Sequence, residues 1–270
     1  MVTDNFDSGV LDTGVWTFVD PVGDSSVSMT GSQAGIVVPA GTDHDVWSNN
    51  NAAPRLRQAS NDTDFVVEVK FDSALNQAYQ IQGLLAEQDN GNLIRFDFYS
   101  DGVVTRIFAA SFVNGNPTTR VQTVITDGNP LYLRVTRVGD QWLEEYSYDG
   151  VTWIAAGTFT HSLVLSSVSV YGGNAGTAPP AHTALVDYFV VDAQPPGGGG
   201  DTTPPVISNI QVSVTDTTAT VTWDTNEAAD SVVDYGLTNG YGTTASDTTL
   251  EISHSVTLTG LAADTLYHYQ

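Results

Sequence analysis

Hydrophobic and polar residues alternate along most of this chain with a period of two. Short segments rich in Val, Thr, Tyr and Phe are separated by stretches of Gly, Asn and Asp. Side chains of a β-strand point to alternate faces, so this pattern predicts strands joined by turns. Apolar residues at helical spacing are nearly absent. We therefore predict an all-β fold built from antiparallel sandwiches.

A stretch rich in proline and glycine divides the chain. Residues 194–205 contain a run of glycines flanked by proline pairs, a composition typical of flexible linkers. We therefore predict a first domain over residues 1–193 and a second, smaller domain over residues 206–270.

Residues 79–112 predict three antiparallel strands joined by two tight turns. The dipeptides at 90–91 (Asn-Gly) and 101–102 (Asp-Gly) are typical of two-residue hairpin loops, because these residues tolerate positive φ. Turn position fixes strand register, and these turns would place Gln82 directly opposite Tyr99.

One face of this predicted three-stranded sheet is apolar, and the other combines polar groups with aromatic rings. The second face contains Gln82, Arg95, Asp97, Tyr99, Arg106 and Phe108. Sugar-binding surfaces have this composition, because pyranose C–H groups stack on rings while charged groups hydrogen-bond the hydroxyls. An outer sheet face with ordinary cross-strand ion pairs would look the same in sequence.

A second polar stretch, residues 42–58, supplies further candidates for the same surface. It contains Trp47, Arg55 and Arg57 in an Asn-rich loop and the strand after it. Basic residues are scarce in this chain, so their clustering near one predicted surface favours an anionic or hydroxyl-rich ligand. A Trp47 ring packed under the loop is the alternative to an exposed platform.

Charge and composition exclude several classes of partner. The chain has 270 residues, no cysteine, and 31 acidic against 8 basic residues, which gives a formal net charge of −23. Such a charge argues against nucleic acid and anionic membranes as partners. No apolar run is long enough to span a membrane. Polar residues follow Met1 directly, so we expect no signal peptide and a fragment of a longer protein.

Three segments of the first domain resemble motifs of one family. They are residues 4–16 (DNFDSGVLDTGVW), 133–153 (LRVTRVGDQWLEEYSYDGVTW) and 186–189 (VDYF). They are similar to concanavalin A-like jelly rolls of bacterial glycan-degrading enzymes, and to the non-catalytic, lectin-like jelly rolls appended to such enzymes. The resemblance implies two stacked, curved antiparallel sheets whose concave face commonly holds glycan.

The second domain resembles a fibronectin type III domain. Residues 219–225 (ATVTWDT) look like the strand with the core tryptophan, and residues 261–267 (LAADTLY) look like the tyrosine corner. Such a domain needs about 90–100 residues, so we expect this one to be incomplete at its C-terminus. Trp223, Tyr267 and Tyr269 are its expected core aromatics.

The jelly-roll resemblance also bears on catalysis. Its hydrolytic members carry Glu-x-Asp-x-Glu on one strand. In the nearest run here, Glu68, Lys70 and Asp72 share a face with lysine in the middle, so the carboxylate pair of a glycosidase is missing. We therefore expect an accessory binding module and not an enzyme.

The same resemblance implies a structural calcium ion. In the enzyme relatives, an N-terminal acidic side chain and the Asp of the closing strand hold calcium, and these positions fall on Asn5 (with Asp4 beside it) and Asp187. The alternative is that Asp187 joins a hydrogen-bond network at a sheet edge.

Together these observations predict a secreted, non-catalytic carbohydrate-binding module of a bacterial multidomain protein. Its expected partner is a polysaccharide or oligosaccharide, and we expect it to be a monomer. The alternatives are a structural or adhesive spacer module, and a glycoside hydrolase or polysaccharide lyase with an unfamiliar site.

Overall fold

The structure is a computed structural model that describes residues 1–48, 50–126, 128, 130–192 and 206–270. The chain divides into two compact units, Met1–Gly200 and Asp201–Gln270. The predicted linker, residues 194–205, lies outside the described residues. Each unit is described by itself.

The first unit consists of β-strands in its described residues. They are β1 (Thr17–Val19), β2 (Ser26–Met29), β3 (Ala34–Val38), β4 (Val46–Trp47), β5 (Asn50–Asn51), β6 (Arg55–Ala59), β7 (Phe65–Phe71), β8 (Gln80–Glu87), β9 (Leu93–Ser100), β10 (Thr105–Val113), β11 (Asn116–Ile125), β12 (Leu131–Val138), β13 (Gln141–Ser147), β14 (Ile154–Thr160), β15 (Ser167–Asn174) and β16 (His182–Asp192).

Two seven-stranded antiparallel sheets make up most of this unit. Sheet I has the order β1-β6-β15-β8-β9-β10-β11, and sheet II has the order β14-β13-β12-β7-β16-β3-β2. A short hairpin, β4-β5, lies apart from both. The prediction of an all-β, antiparallel sandwich is confirmed.

The main core lies between the two sheets and follows the alternation of the sequence. Phe96 and Phe98 of β9 and Val67 and Val69 of β7 are fully buried in it. Each such side chain contributes about 1.5–3 kcal/mol by leaving water. Because alternate residues of β9 face this core, the residues between them must lie on the outer face of sheet I.

The first predicted hairpin has a different register from the one expected. The Asp89 carboxylate accepts hydrogen bonds from the Gly91 and Asn92 amides, and Gln88 pairs with Asn92 across the loop. The loop is therefore one residue longer than a two-residue turn. Residue Ile81, and not Gln82, lies opposite Tyr99.

This slip moves Gln82 to the other face, as a one-residue shift must. Its amide oxygen accepts from the Ser73 hydroxyl, its nitrogen donates to the Ser73 carbonyl, and the His182 ring lies 3.2 Å away. The predicted place of Gln82 on the polar–aromatic face is wrong. Its side chain is fully buried on the core side of β8.

The second hairpin is also shifted, but its faces are as predicted. Asp101 pairs with Val104, and the Asp101 carboxylate accepts from the Val103 and Val104 amides. The register therefore moves by two residues, which leaves every side chain on its expected face. Arg106 lies opposite Tyr99, and Phe108 lies opposite Asp97.

The second unit is a four-stranded antiparallel assembly. Its strands are β17 (Ile207–Val214), β18 (Thr218–Gly236), β19 (Thr243–Thr259) and β20 (His268–Tyr269), in the order β17-β18-β19 with β20 paired to β18. Trp223 is buried against the His254 ring, with centroids 5.0 Å apart. Tyr267 is half-buried and Tyr269 is exposed, so the prediction that Tyr269 lies in the core is wrong. The described residues contain no helix long and apolar enough to cross a membrane.

Candidate functional site

A loop whose described residues are 42–48 and 50–54 crosses the outer face of sheet I. It contains the hairpin β4-β5, and its buried residues Val46 and Ala53 pack on Leu85, Leu93 and their neighbours in a second apolar cluster. The middle of the face is therefore covered. The part of the face toward β9, β10 and β11 stays open beside the loop.

A groove of about 400 Å³ lies along this open part. The loop forms one wall, and strands β9 to β11 form the floor and the other wall. Its lining residues are Asp45, Trp47, Tyr79, Ile81, Arg95, Tyr99, Phe108, Thr119, Gln122, Ala175 and Gly176. The structure thus brings together four of the predicted residues: Trp47, Arg95, Tyr99 and Phe108.

Aromatic rings dominate the groove. The Trp47 and Phe108 rings are 6.0 Å apart, and the Tyr99 and Phe108 rings meet edge to face at 5.8 Å. Phe108 is buried, whereas Trp47 keeps 37% of its surface exposed and Tyr79 keeps 47%. One part of the Trp47 side chain therefore packs on the sheet, and the rest is exposed to the groove as a surface on which a ligand can stack.

Tyr79 adopts a backbone conformation that is unusual for its residue type. Its φ is +64°, in the left-handed region, where non-glycine residues are uncommon and often functional. The ring lies next to Gly176, where an added Cβ would come within 3.1 Å of it. Gly176 thus leaves the space that the Tyr79 ring occupies.

The floor of the groove contains a buried ion-pair network centred on Arg95. Its Nε donates to Asp97 Oδ2 at 2.6 Å, and its Nη1 donates to Asp45 Oδ1 and to the Val46 carbonyl, both at 2.8 Å. Burial alone would lower the pKa of Arg95, but the charges of Asp97 and Asp45 outweigh it and raise that pKa well above its ordinary value. Because Asp97 is on the sheet and Asp45 is on the loop, Arg95 fastens the two together.

Gly83 allows a further buried group to approach this network. Tyr171, Gly83 and Asp97 are neighbours across β15, β8 and β9. A side chain on Gly83 would collide with the Phe96 carbonyl and with Asp97. Burial raises the pKa of Tyr171 well above its ordinary value, so its hydroxyl stays protonated beside the Asp97 carboxylate.

The remaining predicted arginines lie outside the groove. Arg55 is buried under the loop, where it pairs with Glu87 at 3.1 Å and donates to the Asn51 side chain and the Ala53 carbonyl. Arg57 lies half-buried on the same sheet face, opposite Ser169. Their predicted roles in ligand binding are untested.

Arg106 also lies on the outer face without lining the groove. It pairs with Asp101 at 3.0 Å, an ion pair that is partly exposed on both sides. Asp97 is on the correct face but is fully buried beneath Arg95. Asp97 therefore supports the groove from below.

Several groove residues were absent from the sequence prediction. Thr119 and Gln122 come from β11, and Gln122 donates to the Tyr99 hydroxyl at 2.9 Å. Asp45 and Gly176 come from loops, and Tyr79 precedes β8. Alternation alone would place Thr119 and Gln122, three residues apart, on opposite faces of β11. A β-bulge, where the pairing shifts between Ala109 and Ala110, brings both to the face of Phe108, so the period of two could not have indicated them together.

His44 holds the groove loop at its start. Its Nε2 lies 2.7 Å from Asp24, and its Nδ1 lies near the Thr42 carbonyl and the Asn174 side-chain oxygen. The Asn174 nitrogen donates to two proline carbonyls, so its oxygen must face His44. Both ring nitrogens therefore face acceptors, and the ring fits them best with two protons.

We expect this contact to make the stability of the loop depend on pH. Burial opposes the charge, but the bonds to Asp24 and Asn174 outweigh it and raise the pKa of His44. A raised pKa means that the stabilisation is fully present below about pH 6.5 and is lost as pH rises through the folded-state value. His44→Gln should cost roughly 1–3 kcal/mol at pH 6, and much less at pH 9. Chemical denaturation of the wild type and of His44→Gln between pH 6 and pH 9 measures this cost, with His268→Gln as the control. A cost of His44→Gln that does not change with pH would contradict the prediction.

The residues predicted to bind calcium have protein partners. Asp187 pairs with Lys70 at 2.7 Å, the two Asp4 oxygens accept from the Phe6 amide and the Trp16 indole, and Asn5 donates to Asp7. The ammonium group of Lys70 occupies the Asp187 carboxylate, which a calcium ion would need as a ligand. No cluster of three or more His, Asp or Glu side chains suited to a metal occurs in the described residues. Calcium binding stays a prediction.

Comparison with known proteins agrees with the two-sheet sandwich. The GH43 BlXynB protein of Bacillus licheniformis is similar over 71% of this chain and 39% of its own, with 18% identity and a TM-score of 0.58. A xylan β-1,4-xylosidase of Bacillus halodurans is similar over 70% and 38%, with 14% identity and a TM-score of 0.52. A legume lectin-like domain of Entamoeba histolytica is similar over 66% and 90%, with 10% identity and a TM-score of 0.50.

These comparisons correct one expectation. The prediction that the protein is not an enzyme is contradicted, because the solved chains similar to it include a GH43 glycoside hydrolase and a xylosidase. At these identities the likeness shows the fold alone, and this chain spans about two fifths of the length of the two Bacillus chains.

The second unit has a separate match. Residues 207–270 match the family model described as the purple acid phosphatase N-terminal domain. The resemblance to fibronectin type III therefore stays a prediction. No curated protein matches the chain in sequence.

Proposed function

We propose that the first unit binds a glycan in the groove between the 42–54 loop and strands β9 to β11. The observation that carries this proposal is the set of aromatic rings around a polar floor. Trp47 and Tyr79 expose ring surface on which pyranose C–H groups can stack. Asp45, Thr119 and Gln122 supply hydrogen-bonding groups for sugar hydroxyls.

The groove is also held rigidly, which favours binding. Arg95 ties the loop to the sheet, and His44 anchors the start of the loop. Tyr99 is oriented by its hydrogen bond from Gln122. A site that is already ordered loses little conformational entropy when a ligand binds.

The fold comparisons support a role connected with carbohydrates, because similar chains include glycoside hydrolases and a lectin-like domain. A location outside the cell, where polysaccharides are abundant, is part of this proposal. So is the view that the unit acts within a larger glycan-active protein.

Removal of the exposed rings tests the proposal. We expect Trp47→Ala and Tyr79→Ala each to weaken binding roughly 2- to 12-fold, since a stacking ring contributes about 0.5–1.5 kcal/mol. The measurement is affinity electrophoresis and calorimetry against xylan, arabinan, β-glucan and galacturonan. Release of reducing sugar in the same mixtures shows whether the bound glycan is also hydrolysed.

Tyr148→Ala is the matched control for these variants. Tyr148 is as exposed as Trp47, at 37%, but it follows β13 of sheet II. Circular dichroism should show that all three variants are folded. Equal binding by the wild type and both groove variants, or an equal loss in Tyr148→Ala, would overturn the proposal.

A further inference from the structure

The charges in the groove indicate what kind of sugar it accepts. Its only basic lining residue among the described ones is Arg95, and that guanidinium is bonded to both Asp45 and Asp97. One positive charge faces two carboxylates, so the floor has no surplus positive charge. A uronate, sulfate or phosphate group would have to approach Asp45 without a free cation to receive it.

Two acceptors and one donor of this network have no hydrogen-bond partner among the described residues, and one of the acceptors, Asp97 Oδ1, is buried out of a ligand's reach. Nε and Nη1 of Arg95 are engaged, whereas Nη2 has no partner among the described residues and is not fully buried. Asp45 Oδ1 accepts from both Arg95 and the Val46 amide. Its Oδ2 has no partner in the part of the chain that the structure describes.

We propose that Arg95 Nη2 and Asp45 Oδ2 recognise two adjacent hydroxyls of an uncharged sugar, and that the groove therefore selects neutral glycans over uronates. One hydroxyl accepts a hydrogen bond from Nη2, and its neighbour donates to Oδ2. Hydrogen bonds to charged groups are the stronger kind, and a carboxylate cannot donate to Oδ2. This inference rests on the proposed function.

Two other groups in the groove, the hydroxyls of Tyr99 and Thr119, also favour an uncharged sugar. The Tyr99 hydroxyl accepts from the Gln122 amide, so its own proton is available for a ligand oxygen. Thr119 provides a hydroxyl that both donates and accepts. Every one of these groups suits hydroxyls, and none adds positive charge.

The test compares ligands that differ only in charge. Homogalacturonan oligomers, fully methyl-esterified or fully de-esterified, share one backbone, and neutral xylan, arabinan and β-glucan oligomers complete the panel. We expect wild-type protein to bind the neutral oligomers, and to bind the esterified galacturonan at least 10-fold more tightly than the de-esterified form. Binding of neutral ligands should change little between 50 mM and 500 mM salt.

Asp45→Asn keeps the shape of the side chain and removes its charge. This variant should bind neutral ligand roughly 10-fold more weakly and should lose most of the discrimination against de-esterified galacturonan. Asp140→Asn, in the turn between β12 and β13, is the control and should bind as the wild type does.

Two results would separate this inference from the proposed function. If Trp47→Ala weakens binding as expected but the wild type binds the de-esterified oligomer as tightly as the esterified one or more so, the charge inference is wrong and glycan binding stands. If Asp45→Asn binds both forms as the wild type does, Asp45 does not read the ligand. If no oligomer of the panel binds, both proposals are wrong.

Discussion

Arg95→Met is expected to destabilise the first unit by about 3–5 kcal/mol, since it leaves Asp97 charged and buried without a partner. Only 4% of Arg95 is exposed, and it is bonded to two carboxylates and one backbone carbonyl. Loss of the cation would also remove one of the anchors that hold the groove loop on the sheet. Chemical denaturation followed by tryptophan fluorescence measures the change.

Arg106→Met is the matched control for that substitution. Arg106 lies on the neighbouring strand and on the same face, but its pair with Asp101 is partly exposed. Such pairs contribute about 0–1 kcal/mol. Equal costs for the two variants would show that the Arg95 network is solvated. Because Arg95 is structural, weaker sugar binding by Arg95 variants does not by itself identify a contact with the ligand.

Glu144→Gln is expected to stabilise the protein at neutral pH. Glu144 of β13 is fully buried, and neither of its carboxyl oxygens has a hydrogen-bond partner among the residues that the structure describes. Burial, and next to it the charge of Asp97, raises the pKa of Glu144 well above its ordinary value. The native state therefore holds a proton that the unfolded chain releases near pH 4.3.

The sign of the pH dependence follows from this difference. A carboxyl whose folded-state pKa is raised contributes its stability at low pH, and loses about 1.4 kcal/mol per pH unit as pH rises above the unfolded value. The advantage of Glu144→Gln over the wild type should therefore be small at pH 4 and grow at that rate toward neutral pH. Urea denaturation at pH 4, 5, 6 and 7 measures it, with Asp140→Asn as the control. An advantage that is the same at every pH would contradict the protonated, buried Glu144.

The alternation of the sequence predicted the fold and one face of the site, because burial on strands has a simple period. Arg95, Tyr99 and Phe108 lie on the face that this period assigns them. Gln82 does not, because the Asp89 carboxylate accepts from the Gly91 and Asn92 amides and so stabilises a loop one residue longer than the two-residue turn that Asn-Gly predicts. The Asn-Gly motif therefore predicted that a hairpin forms here, but it did not predict the register of the two strands.

The rest of the groove depends on contacts that have no short sequence pattern. Asp45 reaches Arg95 across 50 residues of chain, and Gly176 meets Tyr79 from a distant loop. In the sequence, the clustering of scarce arginines near one predicted surface indicated a ligand-binding site. In the structure, Arg55 and Arg95 hold the loop on the sheet. In a chain with a net charge of −23, each guanidinium has many carboxylates available to it.

The hairpin β4-β5 and its flanking residues have a consequence for engineering. Sheet I carries one wall of the groove as part of the rigid sandwich, whereas the other wall is an appended segment pinned at His44 and Asp45. A graft that keeps those two anchors and Asn51, which accepts from the buried Arg55, and exchanges the other residues between Val46 and Ala53 would change the width of the groove and leave the sandwich intact. Libraries restricted to that segment are the economical route to altered glycan preference.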